Sequence, residues 1–318
     1  MNNFSWVEPK TIDQASAAMK DGGAALAGGI DLLCMIKEHL HEPVSVVNLK
    51  SIPAMRTIEF GKALKIGALV TAEAVEKDAN IRKRARTLSQ AAAVIASPQI
   101  RNVGTVGGNL CQRPRCWYFR DKDVNCLKKG GDKCYSVNGR NEYHCIIGGD
   151  PCFIVHPSDL APALIALNAS VKTNTRQLNL EKFFVVPEVN VRVENVLQPG
   201  EIITEVEVPF DWLDVKSSYF KVRERQSFDW ALASCAVALK MDGKKVKEAR
   251  VVLGGVAPVP WRSKEAEEEL VGKEITEAVA QFAGRAALAD ALPLADNAYK
   301  VELAGNAVKI AILSAIEA

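Results

Sequence analysis

Six of the eight cysteines, Cys111, Cys116, Cys126, Cys134, Cys145 and Cys152, fall within 42 consecutive residues, in a stretch with no sustained period of 2 or 3.6. Arg, Lys, Asp, Asn and Gly surround the sulfur, and an irregular stretch of this length is too long for an ordinary loop unless a ligand organises it. The rest of the chain must therefore be a scaffold able to hold such an insertion. Cys34 and Cys235 stand apart in apolar surroundings and read as packed structural cysteines. The first residues, Met1-Asn-Asn-Phe-Ser-Trp-Val-Glu-Pro9, show neither a basic leader nor an apolar signal core, so the chain is expected to carry no Sec signal of its own and its thiols to be reduced or metal-bound. No window approaches 18 consecutive apolar residues, so no membrane span is expected. Forty basic against 38 acidic side chains leave a net charge of +2, which gives no footprint for a nucleic-acid partner.

Around the insertion the patterning is regular. A strand-like Phe4–Val7, a helical face of Ile12, Ala15, Ala18 and Met19, the run Ala24-Ala-Leu-Ala, a helix over Leu32–Leu40 and a β-branched run Val44–Leu49 make a small β-α-β-α-β unit. Ala63–Val70 reads as a strand, Thr71–Lys77 as a helix, and Ile81–Ala96 as one longer alanine-rich helix ending before Ser97-Pro98. After the insertion come a helix at Leu160–Asn168 and strands at Ser170–Thr173 and Glu201–Val208. A final part begins near Lys216, with strands around Ser218–Val222, Ala231–Met241 and Ala249–Val256 and helices about Ser263–Val271, Ile275–Leu288 and Ala295–Ile316.

Two glycine loops stand out. Ala27-Gly28-Gly29-Ile30-Asp31 lies between a strand and a helix, where absent side chains let backbone N–H groups approach an anion such as a diphosphate. Gly104-Thr-Val-Gly-Gly-Asn-Leu110 again joins glycine to hydroxyl and amide groups. Neither is a Gly-x-Gly-x-x-Gly fingerprint and the chain has no Gly-x-x-x-x-Gly-Lys-[Ser/Thr], so Rossmann and P-loop readings lack their key residues. On these residues alone a phosphorylated cofactor and two structural turns are equally open.

Ala-Gly-Gly-Ile-Asp-Leu-Leu at 27–33, Gln-Ile-Arg-Asn-Val-Gly-Thr-Val-Gly-Gly-Asn-Leu at 99–110, His-Pro-Ser-Asp-Leu-Ala-Pro-Ala-Leu at 156–164 and Tyr219-Phe-Lys-Val-Arg-Glu-Arg225 resemble, in order, the FAD-binding medium subunit of the molybdenum hydroxylases. That family includes xanthine dehydrogenase, carbon monoxide dehydrogenase and aldehyde oxidoreductases. The resemblance implies an α+β chain: a vanillyl-alcohol oxidase (PCMH)-type FAD-binding domain in two α/β subdomains, then an α+β C-terminal domain like that of the CO dehydrogenase flavoprotein. The boundaries it implies are 1–58, 59–212 with an insertion at 111–155, and 213–318. It further implies that Ala24, Ala25, Leu26, Ala27, Gly28, Gly29, Ile30, Asp31 and Leu32 wrap the FAD diphosphate. Thr105, Val106, Gly107, Gly108 and Asn109 form the opposing loop, Asp159 and Lys221 hydrogen-bond the cofactor, and Ile95 lies against the flavin region. The family usually has threonine where this chain has Ile30, which removes a hydroxyl contact but no backbone donor.

Most family members pass directly from the Gly-Gly-Asn loop to the Pro-Ser-Asp motif, whereas here about 40 residues intervene. The insertion resembles that of a subgroup, seen in periplasmic aldehyde oxidoreductase and 4-hydroxybenzoyl-CoA reductase, that carries a [4Fe-4S] cluster on four thiolates. Matching the subgroup implies Cys116, Cys126, Cys134 and Cys152 as ligands, spaced C-x9-C-x7-C-x17-C, with Cys111 and Cys145 outside the set. Spacing by itself leaves a cluster, zinc and unligated thiols open; structural zinc favours close C-x₂₋₄-C pairs, and the one short gap is Cys111-x4-Cys116. Arg113, Arg115, Arg120, Lys122, Lys128, Lys129 and Lys133 could steer a partner or raise a cluster's potential, or could simply be a solvated loop surface. His144 and His156 read as packing or hydrogen-bonding residues.

The function implied is that of an electron-transfer flavoprotein in a heterotrimer. A large molybdopterin subunit hydroxylates substrate, a small subunit carries two [2Fe-2S] clusters, and FAD here passes electrons to NAD, quinone, ferredoxin or oxygen. No side-chain acid or base is expected. Tyr143-His144-Cys-Ile-Ile-Gly-Gly149, Val155-His-Pro-Ser-Asp159 and Asn297-Ala-Tyr-Lys300 are similar to the aldehyde or xanthine dehydrogenase branch, while Cys126-Leu-Lys-Lys-Gly-Gly-Asp-Lys-Cys134 is similar to the 4-hydroxybenzoyl-CoA reductase branch. A stand-alone FAD and iron–sulfur redox protein, or a zinc-stabilised module without flavin, are the rivals from other classes. The location expected is the cytoplasm, or the periplasm by co-export with a partner.

Overall fold

The computed structural model describes residues 1–317 and folds them around three sheets. The first is parallel, in the order β1-β3-β2, from β1 (Ser5–Val7), β2 (Gly23–Leu26) and β3 (Ser45–Asn48). Parallel strands need crossovers, and α1 (Ile12–Lys20) and α2 (Leu32–Lys37) supply them, as the hydrophobic pattern predicts. α1 starts where it does because extended Thr11 accepts the Gln14 amide on Oγ1 at 3.2 Å, with Asp13 in the first turn.

The second sheet is antiparallel, β4-β5-β8-β6-β7, built from β4 (Ile58–Phe60), β5 (Ala63–Gly67), β6 (Ser170–Thr173), β7 (Gln177–Asn179) and β8 (Ile203–Pro209). Between β5 and β6 run α3 (Ala72–Lys77), α4 (Ala79–Arg84), α5 (Arg86–Ala93), α6 (Pro98–Val103), α7 (Val106–Leu110), α8 (Trp117–Arg120) and α9 (Leu160–Ala166). Two sequence expectations need correction here. The helix read over Ile81–Ala96 is broken at Ala85 (φ −135°, ψ 54°), because the Arg84 carbonyl accepts the Asp214 amide at 2.7 Å and the Arg84 guanidinium forks onto the Asp214 carboxylate. The second glycine loop is mostly helix, since Thr105 caps α7 by accepting the Gly108 amide at 3.2 Å.

The third sheet, β12-β11-β10-β9, is antiparallel and consists of β9 (Lys216–Val222), β10 (Ala233–Asp242), β11 (Lys245–Gly254) and β12 (Trp261–Arg262). It is followed by α10 (Lys264–Leu270), α11 (Glu277–Ala286) and α12 (Tyr299–Ile316). β10 is buried along most of its length because its two faces belong to two cores. Cys235, Val237 and Leu239 enter the core beneath α10–α12, whereas Ala236 and Ala238 enter the core shared with α9 and the second sheet. Cys235 is the packed cysteine expected; Cys34 is not, being exposed on the six-residue α2. No helix of the described residues is long and apolar enough to cross a membrane.

Candidate functional site

The first glycine loop meets the chain just before α7. A Cβ on Gly28 would lie 2.2 Å from the Val103 carbonyl oxygen, and Gly29 has φ +77°, so both positions demand glycine. Between these segments opens a cavity of about 400 Å³. Of the residues the sequence assigns to a cofactor, Ala24, Ala25, Ala27, Gly28, Gly29, Ile30, Asp31 and Leu32 line it from one side, and Ile95, Thr105, Gly108 and Asn109 from the other. Leu26, Val106 and Gly107 do not line it and are buried in the packing beneath. The amides of Val106, Gly107, Gly108 and Asn109 are already spent on Val70 O, Ala68 O, Thr105 Oγ1 and Thr105 O. Those four amides are therefore not free donors for an anion.

Asp31 turns away from this task. Its carboxylate accepts the Arg113 amide at 2.8 Å and Arg120 Nη2 at 2.7 Å, and pairs with Arg115. Burial would raise its pKa, but Arg115, Arg120 and the Arg113 amide outweigh burial and hold it below the ordinary carboxylate value. Arg115 in turn lies over the Trp230 ring, 4.5 Å from its centroid. Among the described residues, Trp230 is the one shared by the glycine-loop cavity and a second cavity of about 290 Å³.

Asp159 lines that second cavity and Lys221 lines neither. Asp159 instead accepts Lys221 Nζ at 2.8 Å and the Tyr219 hydroxyl at 2.7 Å, and Lys221 also reaches the Val94 carbonyl at 3.3 Å. Burial first, then the Asp159 charge, pushes the Tyr219 phenol well above its usual pKa, so it stays a donor. Carboxylate and ammonium are therefore pre-paired, and a ligand at this end meets a fixed polar group at the floor of an aromatic pocket made by Trp117, Tyr143, His156 and Trp230.

Cys116, Cys126, Cys134 and Cys152 all line one small cavity; Cys111 and Cys145 do not. Cys111 faces the glycine-loop cavity, and Cys145 is buried with its thiol pushed up by desolvation. The Cys134 sulfur is 3.0 Å from Ser136 Oγ; the hydrogen bond from Cys152 and, against burial, that of Ser136 bring its pKa down to about 5. Burial pushes Cys116 up to about 11. No group of three or more His, Cys, Asp or Glu among the described residues is arranged to hold a metal ion.

Four of the seven basic residues of the insertion are structural ties and not a solvated surface. Arg115 and Arg120 hold Asp31. Lys128 Nζ is 2.6 Å from Glu194 with both side chains almost fully buried (1% and 4% exposed), and Arg113 reaches the same carboxylate at 2.6 Å. Sequence reasoning missed Glu194, Trp230 and Ser136, which lie far from any motif or carry no distinctive pattern. His156 packs edge-on against Phe184 at 4.7 Å, as a packing residue should, but His144 lies 3.2 Å from the Cys116 sulfur.

Residues 2–211 match the family model of the FAD binding domain in molybdopterin dehydrogenase, and residues 218–315 that of the CO dehydrogenase flavoprotein C-terminal domain. The chain belongs to the FAD-binding medium subunits of the molybdenum hydroxylases. It is 35% identical to the aldehyde oxidoreductase FAD-binding subunit PaoB of Escherichia coli, over 96% of this chain and 95% of that one. It is also 28% identical to the carbon monoxide dehydrogenase medium chain of Hydrogenophaga pseudoflava, over 98% and 96%. The structure of carbon monoxide dehydrogenase from that organism superimposes with a TM-score of 0.78 at 27% identity, covering 99% of this chain and 98% of that one. The α+β architecture with two named domains is thus the one the residues imply.

Proposed function

We propose that this oxidoreductase subunit is the FAD and [4Fe-4S] electron-transfer chain of a heterotrimeric molybdenum hydroxylase of the aldehyde dehydrogenase type. The observation that carries the reading is the meeting of four cysteines, drawn from 37 residues of irregular chain, around one cavity that adjoins the pocket of Asp159. FAD, when bound, supplies reversible one- and two-electron chemistry. The chain's own residues then have four tasks. Ala24–Leu32 give backbone donors to the diphosphate, and Thr105–Asn109 close over it. Asp159, already held by Lys221 and Tyr219, presents a fixed polar edge to the ring, and Ile95 contributes apolar surface. Cys116, Cys126, Cys134 and Cys152, which line one cavity, would hold the cluster on four thiolates. The implied subdomain limits, 1–58, 59–212 and 213–318, accompany this reading.

The likeness to an aldehyde oxidoreductase subunit favours that branch over the 4-hydroxybenzoyl-CoA reductase branch. Substrate would react at a molybdopterin centre on a large partner, with [2Fe-2S] clusters of a small partner feeding the flavin and an external acceptor draining it. Anaerobic co-expression with the neighbouring genes tests this. The expected result is a one-to-one-to-one complex with about one FAD, bleached by aldehyde. A chain that purifies alone, with aldehyde failing to reduce its flavin in the presence of those partners, would contradict it in favour of a free redox protein.

A further inference from the structure

Cys116 and His144 are the two residues that line both the cysteine cavity and the pocket of Asp159. They form the partition between the sites proposed for the cluster and for the flavin ring. Within that partition both the His144 ring and its backbone are held. Trp117 meets it edge-on at 5.4 Å and Tyr118 lies tilted at 6.1 Å. Its amide donates to the Asn141 carbonyl at 2.9 Å, and its carbonyl accepts buried Lys300 Nζ at 2.9 Å and Asn297 Nδ2 at 3.2 Å. This leaves Nε2 aimed at the Cys116 sulfur at 3.2 Å, while Nδ1 is buried with no hydrogen-bond partner among the described residues.

A ligating thiolate has no proton to give, so the 3.2 Å contact assigns a hydrogen to Nε2. The Phe119 and Tyr118 amides also face the Cys116 sulfur, while the other side chains near the cavity are engaged elsewhere: Lys128 Nζ by Glu194 and the Val191 carbonyl, and Ser136 by Cys134. An N–H directed at a ligating sulfur draws density from it and favours the reduced cluster.

We propose that His144 is a positioning residue which donates a hydrogen bond from Nε2 to the Cys116 sulfur and so raises the reduction potential of the cluster on the side facing the flavin. This rests on the reading that Cys116 ligates a [4Fe-4S] cluster. The test is an EPR-monitored redox titration of the intact complex, with the flavin midpoint followed in the same samples as a control. At the wild-type midpoint, the reduced-to-oxidised ratio of the cluster should fall about fivefold in His144→Phe, from a lost bond of ~1 kcal/mol, and stay within about twofold in His144→Gln, which keeps a donor. The flavin midpoint should shift by less than that of the cluster. Wild-type complex labelled with ¹⁵N-histidine should show a weak nitrogen coupling to the reduced cluster in pulsed EPR, a readout that needs no variant to assemble. An unchanged cluster midpoint in iron-replete His144→Phe, the absence of that coupling, or a strong coupling diagnostic of direct ligation would each overturn the proposal. Iron absent from the wild type would instead refute the cluster itself, a failure distinguishable by analysis before any titration.

Discussion

The glycine-loop cavity and the cysteine cavity each share lining with the pocket of Asp159, yet they are made in opposite ways. The first is framed by backbone on regular elements: β2 and α2 on one side, α6 and α7 on the other, resting on a large apolar core. The second is framed by side chains on a segment whose regular structure is little more than the four residues of α8. Hydrophobic burial orders one region, while buried ion pairs and sulfur must order the other. Cofactor loss should accordingly be separable, with each region failing through its own kind of mutation and Asp31 as the tie between them.

Glu194→Ala should have the largest effect, because it strands Lys128 with its charge buried. A cost of about 3–5 kcal/mol is expected, read as a drop in Tm and loss of iron while FAD is kept; equal loss of flavin would break the comparison. Asp31→Asn should cost about 1.5–3 kcal/mol and weaken both sites, since it frees Arg115 and Arg120 together. Its sign with pH is fixed. The Asp31 pKa is lowered on folding, so its contribution is full above the unfolded value of about 3.9 and fades as pH falls below it. The Tm gap between wild type and Asp31→Asn should therefore shrink as pH falls below about 3.9; a gap that widens on acidification contradicts this assignment. Gly28→Ala should cost about 1–3 kcal/mol by forcing the first loop off the Val103 carbonyl, lowering FAD content with iron unchanged. Ile30→Thr should act least, tightening FAD by about 0.5–1.5 kcal/mol if a restored hydroxyl meets the diphosphate, measured by flavin release on dilution.

Patterning made most of the regular elements legible. The β-α-β-α-β unit and the C-terminal strands and helices follow from local periodicity, which is where local sequence decides structure. Local sequence is silent where distant residues decide. Nothing near Ala85 announces a helix break set by Asp214, and nothing near Lys128 announces Glu194, 66 positions on. Asp31 reads as part of an anion loop because its neighbours are glycines, yet its carboxylate serves arginines more than 80 residues away. Cys34 reads as buried from apolar neighbours, but a six-residue surface helix leaves it exposed. For the cysteines, spacing left cluster, zinc and free thiols open; it was the resemblance, not the spacing, that set Cys111 and Cys145 apart from the four that line one cavity.

Metal analysis tests the central claim most directly. Iron, acid-labile sulfide, zinc and FAD should be counted per complex, purified anaerobically, for wild type and Cys134→Ala. The account predicts that the variant loses about four iron and four sulfide and keeps its FAD. Zinc in place of that iron, or an iron count the substitution leaves unchanged, would contradict it.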